Sequence, residues 1–226
     1  MGAGDKGRLG RRKLLAGAGA MGLMFLMPGA ALAAPSLSPD VPRKLLRHAS
    51  ERAVTKLSQP DGFWDSPVAK FDLPELFAKG GTPLPPTERE QLQRRLNAAA
   101  GAGAIKAGQV LRGANGQIKK SDAAGLIRGL PTSTTSHVRS RLGPKLINEM
   151  IPAIERALKA ETDPVVVAAA ANLKDVGWRE VAQAIAVKAE SAVWYQVGAE
   201  EAEIRKDPTS TRDRTLIRAF GPQETK

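Results

Sequence analysis

The sequence of 226 residues contains no cysteine, only two histidines and few aromatic residues (5 Phe, 3 Trp and 1 Tyr). The absence of cysteine excludes disulfides, thiolate zinc sites, iron–sulfur clusters, a cysteine nucleophile and a lipoprotein-type anchor. His48 and His137 lie far apart in the sequence, so the chain has few residues for a metal site or a histidine-based triad. We therefore expect no metal or cofactor. The hydrophobic fraction of 42% predicts one folded domain with a sizeable core.

The N-terminal residues 1–33 have the three parts of a secretory signal peptide. A basic stretch leads into an uncharged run over residues 14–27, and small residues follow. Ala31-Leu32-Ala33 offers a cleavage site, so we place the mature N-terminus near Ala33 or Ala34. A retained transmembrane anchor is the alternative, but the run of about 14 residues is shorter than the roughly 20 that a spanning helix needs.

The adjacent Arg11-Arg12, followed by a weakly hydrophobic core rich in Gly and Ala, resembles a twin-arginine signal. The general secretory route is the alternative, because paired arginines are frequent in ordinary signals. Either route predicts a periplasmic protein with no transmembrane segment after cleavage. Nucleic acid is not an expected partner, because export removes most of it and few aromatics accompany the basic residues.

The net charge of +11 is unevenly distributed along the chain. Residues 1–33 contribute +4 and residues 34–80 contribute +1, whereas residues 81–160 contribute +8 and residues 161–226 contribute −2. We therefore predict a basic surface that attracts an anionic envelope component or a protein partner. The alternative is a solvated face whose charges pair in part with acids of the C-terminal third. The residues of the predicted basic surface are Arg94, Arg95, Lys106, Arg112, Lys119 and Lys120.

Apolar residues recur at helical spacing in most of the mature chain, and no segment alternates convincingly at the two-residue period of a strand. The pattern predicts an all-α fold with a single compact multi-helix domain over residues 43–221. A Pro-rich linker over residues 34–42 precedes the domain, and a tail over residues 222–226 follows it. Frequent Pro and Gly over residues 58–86 predict one long loop with a short turn near residues 75–79.

The boundaries of the later helices follow from caps, Gly and Pro. Thr87 is the predicted N-cap of a helix that runs toward Leu111, and the small residues 98–104 should let another helix approach closely. Pro144 and Pro152 are expected to kink or divide the helix after the Thr/Ser cluster. The remaining helices are predicted near residues 123–130, 138–158, 165–173, 178–206 and 210–220.

Three strings of residues resemble the motifs of one family. They are QPDGF at residues 59–63, AGLIRG at residues 124–129 and EEAEIRKDP at residues 200–208. In this order they resemble a bacterial family known as domain of unknown function 4197, over about residues 43–221. The resemblance implies an exported, largely helical protein of Gram-negative bacteria. It implies no known activity, cofactor or catalytic residue.

The loop over residues 59–65, which begins with the first of these strings, combines amides, two carboxylates and two large aromatics. Asp61 and Asp65 could divide acid and base roles if burial separated their pKa values. A simpler interpretation is a turn with Pro60 at its second position, held to the helices by Phe63 and Trp64. The candidate ligand-binding residues of this string are Gln59, Asp61 and Phe63.

The C-terminal string places Glu201 and Arg205 four residues apart, which predicts an ion pair on one helix. If Glu200 or Glu201 is buried, we expect a basic partner from the central segment, such as Arg128 or Arg139. Such a network is more often architectural than catalytic. It could bind a polar or anionic ligand if it opened into a pocket, so these five residues are also candidate ligand-binding residues.

Composition and motifs favour a non-catalytic exported protein that associates with the envelope or binds a partner. The alternative is a binder or hydrolase of a small polar or anionic ligand. Its pocket would be lined by Asp61, Arg128, Arg139 and Glu201. The alternative therefore requires these four side chains to converge on one cavity that solvent can reach. The oligomeric state does not follow from the sequence.

Overall fold

The computed structural model describes residues 38–79, 84–173 and 176–222. The predicted signal peptide and most of the predicted tail lie outside the described residues. Residues 35–226 belong to one compact unit. In its described part the α-helices are α1 (Asp40–Leu57), α2 (Glu75–Lys79), α3 (Pro86–Arg112), α4 (Ala123–Arg128), α5 (Ser133–Leu142), α6 (Lys145–Lys159), α7 (Pro164–Ala171), α8 (Trp178–Lys206) and α9 (Arg214–Phe220).

Short 3₁₀ turns connect some of these helices, over Gly113–Gln117, Lys120–Asp122 and Pro208–Thr211. No strand occurs in the described ranges, and the all-α prediction is confirmed. None of the helices described is both long enough and apolar enough to cross a membrane.

Four long helices, α1, α3, α6 and α8, surround the core. Helix α8 has 29 residues, a length of about 43 Å, and packs against the other three. Its apolar stripe includes Ile185, Val193 and Val197, each fully buried. Among the shorter helices, α5 packs against α8, whereas α7 packs against α3 and α9 packs against α1.

Small residues bring α3 close to two neighbouring helices. A Cβ atom at Gly103 would lie 2.8 Å from Ile154 Cδ1 of α6. A Cβ atom at Gly108 would lie 3.0 Å from Val54 Cγ2 of α1. Both distances are shorter than an ordinary van der Waals contact, so the prediction that small residues permit a close helix approach is confirmed.

Two helix beginnings differ from the sequence-based boundaries. Helix α1 begins at Asp40, so the last three residues of the predicted linker are helical, and Pro42 lies in the first turn, where a missing N–H costs little. The prediction of Thr87 as an N-cap was wrong, because α3 begins at Pro86 and its N-cap is Pro85, two residues before Thr87. Proline is favoured at a first helical position for the same reason.

The predicted helix over residues 138–158 is divided into α5 and α6. The division falls at Gly143, whose φ of +51° suits glycine, and at Pro144, which precedes α6. Pro152 remains inside α6 and is exposed. The division therefore results from the Gly-Pro pair, which ends one helix and begins the next.

The described part of the predicted loop before residue 80 contacts α3 through Asp61, Phe71 and Asp72, and the short turn predicted near residues 75–79 is α2. Phe63 is 1% exposed and meets Phe71 edge to face, with ring centroids 6.2 Å apart. The fully buried Asn97 of α3 accepts a hydrogen bond from the Phe71 N–H at 3.1 Å and donates to the Phe71 carbonyl at 3.0 Å. One amide side chain thus pairs both backbone groups of a loop residue.

We predict that Asn97→Ala lowers the free energy of unfolding by about 1–3 kcal/mol, because it leaves two buried backbone groups of Phe71 with fewer partners. Urea denaturation followed by circular dichroism measures the loss. The control is Asn148→Ala, an exposed position on α6 that should change stability by less than about 0.5 kcal/mol. Equal stability of wild type and Asn97→Ala would contradict this role of the amide.

Candidate functional site

The string at residues 59–63 forms a tight turn after α1. The Gly62 N–H donates to the Gln59 carbonyl at 2.9 Å, and Asp61 has a φ of +58°. Positive φ at the third position is the geometry of a type II turn with proline second. A Cβ atom at Gly62 would lie 2.3 Å from the Lys56 carbonyl oxygen, so only glycine fits against the end of α1.

The Asp61 carboxylate pairs with Arg94 of α3 through two hydrogen bonds, one of them from Nε at 2.9 Å. These bonds hold the pKa of Asp61 below its ordinary value, so the carboxylate is ionised and is a poor general acid. A cavity of about 480 Å³ lies beside the pair, and its lining residues are Pro60, Asp61, Gln91, Arg94, Arg95 and Ala98. Gln59 is exposed, and Phe63 is a core residue.

The C-terminal string places Glu201 at the start of α5. Its carboxylate is fully buried and accepts hydrogen bonds from the N–H groups of Thr134 at 3.0 Å and Thr135 at 2.7 Å. The Thr135 hydroxyl donates a third bond at 2.6 Å. The first N–H groups of a helix have no partner inside the helix, so Glu201 of α8 caps α5.

Arg205 completes this cluster from the next turn of α8. Its guanidinium donates to Glu201 at 2.8 Å and 3.0 Å, which confirms the predicted ion pair. It also donates to the carbonyls of Leu126 at 2.7 Å and Ile127 at 3.0 Å, near the end of α4. The ring of Phe220 in α9 lies 4.8 Å from the guanidinium carbon. One acid and one base thus join four helices.

The predicted partners of the buried acids were wrong. Glu200 is 5% exposed and pairs with Lys56 of α1, not with Arg128 or Arg139. Arg139 instead pairs with Glu190 of α8 at 3.2 Å, and Arg128 is exposed and forms no ion pair with a described acid. The central segment lies near α8, but the packing brings different residues within reach.

The four residues of the predicted ligand pocket lie at separate places in the fold. Asp61 pairs with Arg94, Arg139 with Glu190, and Glu201 with Arg205. The cavity beside Asp61 has none of the other three in its lining. These side chains therefore do not form the single cavity that the alternative hypothesis requires. In the described part of the chain, no group of three or more His, Asp or Glu could hold a metal ion.

The six predicted basic residues divide into two groups. Arg94 pairs with Asp61, and Arg95 pairs with the buried Asp163 at 3.0 Å. Both cations are therefore paired within the chain, but only Arg95 has a partner from the acidic C-terminal third, as the alternative predicted. The other four form no ion pair with a described acid, and we call them the basic face: Lys106, Arg112, Lys119 and Lys120.

A cluster of cationic side chains surrounds Asp213, which caps the start of α9, and the sequence did not predict it. Its carboxylate lies 3.2 Å from Lys44, 3.9 Å from Arg47 and 3.6 Å from His48, all on α1. It also accepts from the Thr215 N–H at 2.8 Å. The spacing of Asp213 and Thr215 predicts the cap, but no local signal could have shown that the N-terminal helix supplies the cations.

The fold and these clusters define an all-α protein whose buried acids act as helix caps and interhelical ion-pair partners. The family model described as "Protein of unknown function (DUF4197)" matches residues 40–221, and the chain belongs to this family. The match extends from the first residue of α1 to just after α9. Searches of curated proteins and of solved structures found no match.

We predict that Glu201→Gln lowers the free energy of unfolding by about 2–4 kcal/mol. The amide cannot accept all the bonds that the carboxylate accepts, and it leaves the charge of Arg205 without its partner. Thermal and urea denaturation measure the loss. The matched control is Glu203→Gln on the same helix, an exposed position where we expect less than about 0.5 kcal/mol. Similar losses in both variants would contradict the capping role.

We predict that the contribution of Asp213 to the free energy of unfolding depends on pH. Burial by itself would raise the pKa of Asp213, but hydrogen bonds from Thr215 and Lys44 outweigh it and lower the pKa from 3.8 to about 2. A carboxylate whose pKa is lower in the folded than in the unfolded state stabilises the fold at pH values above its unfolded pKa. This stabilisation is lost as the pH falls toward the folded pKa. The stability difference between wild type and Asp213→Asn should therefore shrink by about 2 kcal/mol between pH 5 and pH 2. A stability difference between the two proteins that does not change with pH would contradict this prediction.

Proposed function

We propose that this protein is exported to the periplasm and binds an anionic component of the cell envelope, without catalysis, through the basic face. The signal-like residues 1–33 support export. The observation that carries the binding proposal is the absence of acidic residues from residues 91–121, which include all four cations of the basic face. The face therefore has no acid of its own segment to neutralise it.

Two cations of the basic face lie on α3, and Lys119 and Lys120 follow after its end. Lys106 and Arg112 are six residues apart, so their positions differ by about a third of a turn around α3 and by about 9 Å along it. Ile105 lies between them around the helix and is 51% exposed, and Ala98 is exposed in the same sector. A cluster of four Lys and Arg residues is a pattern that attracts anionic lipid headgroups.

The hydrogen bonds and ion pairs of the acidic side chains support a non-catalytic role. General acid–base catalysis needs a carboxylate or histidine that reaches the substrate with a suitable pKa. Glu201 is fully buried with five hydrogen bonds to it, and Asp61 is held ionised by Arg94. Glu190 and Glu200 also face cations of other helices. Each of these four acids therefore already has a structural partner.

We predict that residues 34–226, which include the whole compact unit, bind phosphatidylglycerol vesicles at low salt and bind phosphatidylcholine vesicles weakly. Each cation near an anionic surface contributes about 1 kcal/mol, so the triple variant Lys106→Gln/Arg112→Gln/Lys120→Gln should bind about a hundredfold more weakly. Sedimentation with sucrose-loaded vesicles measures the partition. Raising the salt from about 0.1 M to 1 M should also release the wild type.

The matched control is Lys145→Gln/Lys188→Gln/Lys206→Gln, which removes the same charge from exposed positions on α6 and α8. We expect the control to bind within about threefold of wild type, because the basic face is intact. Equal weakening of both triple variants would show attraction by total charge alone. That result, or the absence of vesicle binding at low salt, would overturn the proposal.

A further inference from the structure

A second positively charged feature lies between the first and the last helix, outside the basic face. It is a cavity of about 290 Å³ where the start of α1 meets α9. Its polar lining residues are Ser38, Asp40, Lys44, Arg214, Thr215 and Arg218. The cavity is near the lower end of the size range for small-molecule sites. Its lining carries three cations and one acid.

Two of the cations are arginines that have no acidic partner among the described residues. Arg214 and Arg218 lie four residues apart on α9, so their side chains share one face of the helix. Neither forms an ion pair with an acid in the described ranges, and both are exposed. Like charges at this spacing repel each other, and a bound anion would turn the repulsion into attraction. A guanidinium pair is well suited to an oxyanion because each can donate two parallel hydrogen bonds.

The third cation is held in place by the acid that caps α9. Lys44 donates to Asp213 at 3.2 Å and to the Thr215 hydroxyl oxygen at 2.7 Å. An ammonium has three donors, so at least one remains for a ligand. Because the Thr215 oxygen accepts from Lys44, its own O–H proton is free to donate into the cavity. Lys44 and Thr215 line the same cavity as the two arginines and so supply two further donors to it.

The described acids near the cavity do not neutralise its cations. Asp40 lies 4.0 Å from Arg43, and Asp213 lies 3.2 Å from Lys44 and 3.9 Å from Arg47. After these pairs are formed, the charges of Arg214 and Arg218 remain. Two uncompensated positive charges beside an ammonium and a hydroxyl match a dianion with several acceptor oxygens.

We infer that this cavity binds a phosphate group, with Arg214 and Arg218 as its charge partners and Lys44 and Thr215 as further donors. A phosphomonoester carries nearly two negative charges and three acceptor oxygens, which suits four donors that converge from two helices. A single carboxylate has one charge and a planar pair of oxygens, so it would engage fewer of them. The phosphate could belong to a soluble compound or to a lipid headgroup, since both present the same chemistry.

The test uses residues 34–226 and isothermal titration calorimetry at constant ionic strength. The probes are inorganic phosphate, dihexanoyl phosphatidic acid and succinate. We expect saturable binding of one phosphate compound per chain, and we expect Arg214→Gln/Arg218→Gln to weaken it about tenfold or more. The control Lys188→Gln/Lys206→Gln removes the same charge from exposed positions and should bind within about twofold of wild type.

Each outcome decides a part of the inference. Tighter binding of the phosphatidic acid identifies a lipid headgroup as the source, and equal or tighter binding of inorganic phosphate identifies a soluble compound. Saturable binding of neither, equal weakening in both variants, or equally tight binding of succinate would overturn the phosphate site. Amide shifts of Thr215 on titration test its location in the wild type. The triple variant of the basic face should bind phosphate normally, so the two proposals fail separately.

Discussion

The structure depends most on the buried pair of Glu201 and Arg205 in α8. The end of α4 and the start of α5 present backbone groups that no residue of those short helices can satisfy. Glu201 accepts from the N–H groups of α5, and Arg205 donates to the carbonyls of α4. A buried ion pair by itself contributes little to stability, because desolvation offsets the attraction. This pair is favourable because each charge also completes the hydrogen bonding of a helix end.

The same long helix uses its other acids to attach further elements. Glu200 holds the end of α1 through Lys56, and Glu190 holds α5 through Arg139. These two acids are therefore partners for cations of other helices. The described cations without an acidic partner include the basic face, the two arginines Arg214 and Arg218 beside the cavity, and single exposed residues such as Arg128 and Lys145. The positive surface of the protein is what remains after the interhelical pairs have formed.

Much of the fold could be predicted because its signals are local. The apolar spacing and the flanking Gly177 and Pro208 predict α8 over residues 178–206, as observed. The ion pair of Glu201 and Arg205 was also predictable, because four residues is one helical turn. The partners of Glu200 and Asp61 were not predictable. Lys56 is 144 residues from Glu200, and Arg94 is 33 residues from Asp61, so only the packing of the helices decides these contacts.

The sequence by itself determined the all-α class, the main helix boundaries, the family and the excess of positive charge in residues 81–160. These properties follow from periodicity, caps and composition, which involve neighbouring residues. Tertiary structure decided which charges are neutralised and which remain available. It paired Arg94 and Arg95 with acids, and it brought Lys44 from the first helix beside Arg214 and Arg218 of the last. The sequence gives the number of charges, but whether a charge is free to bind a ligand depends on which groups lie close to it in the folded structure.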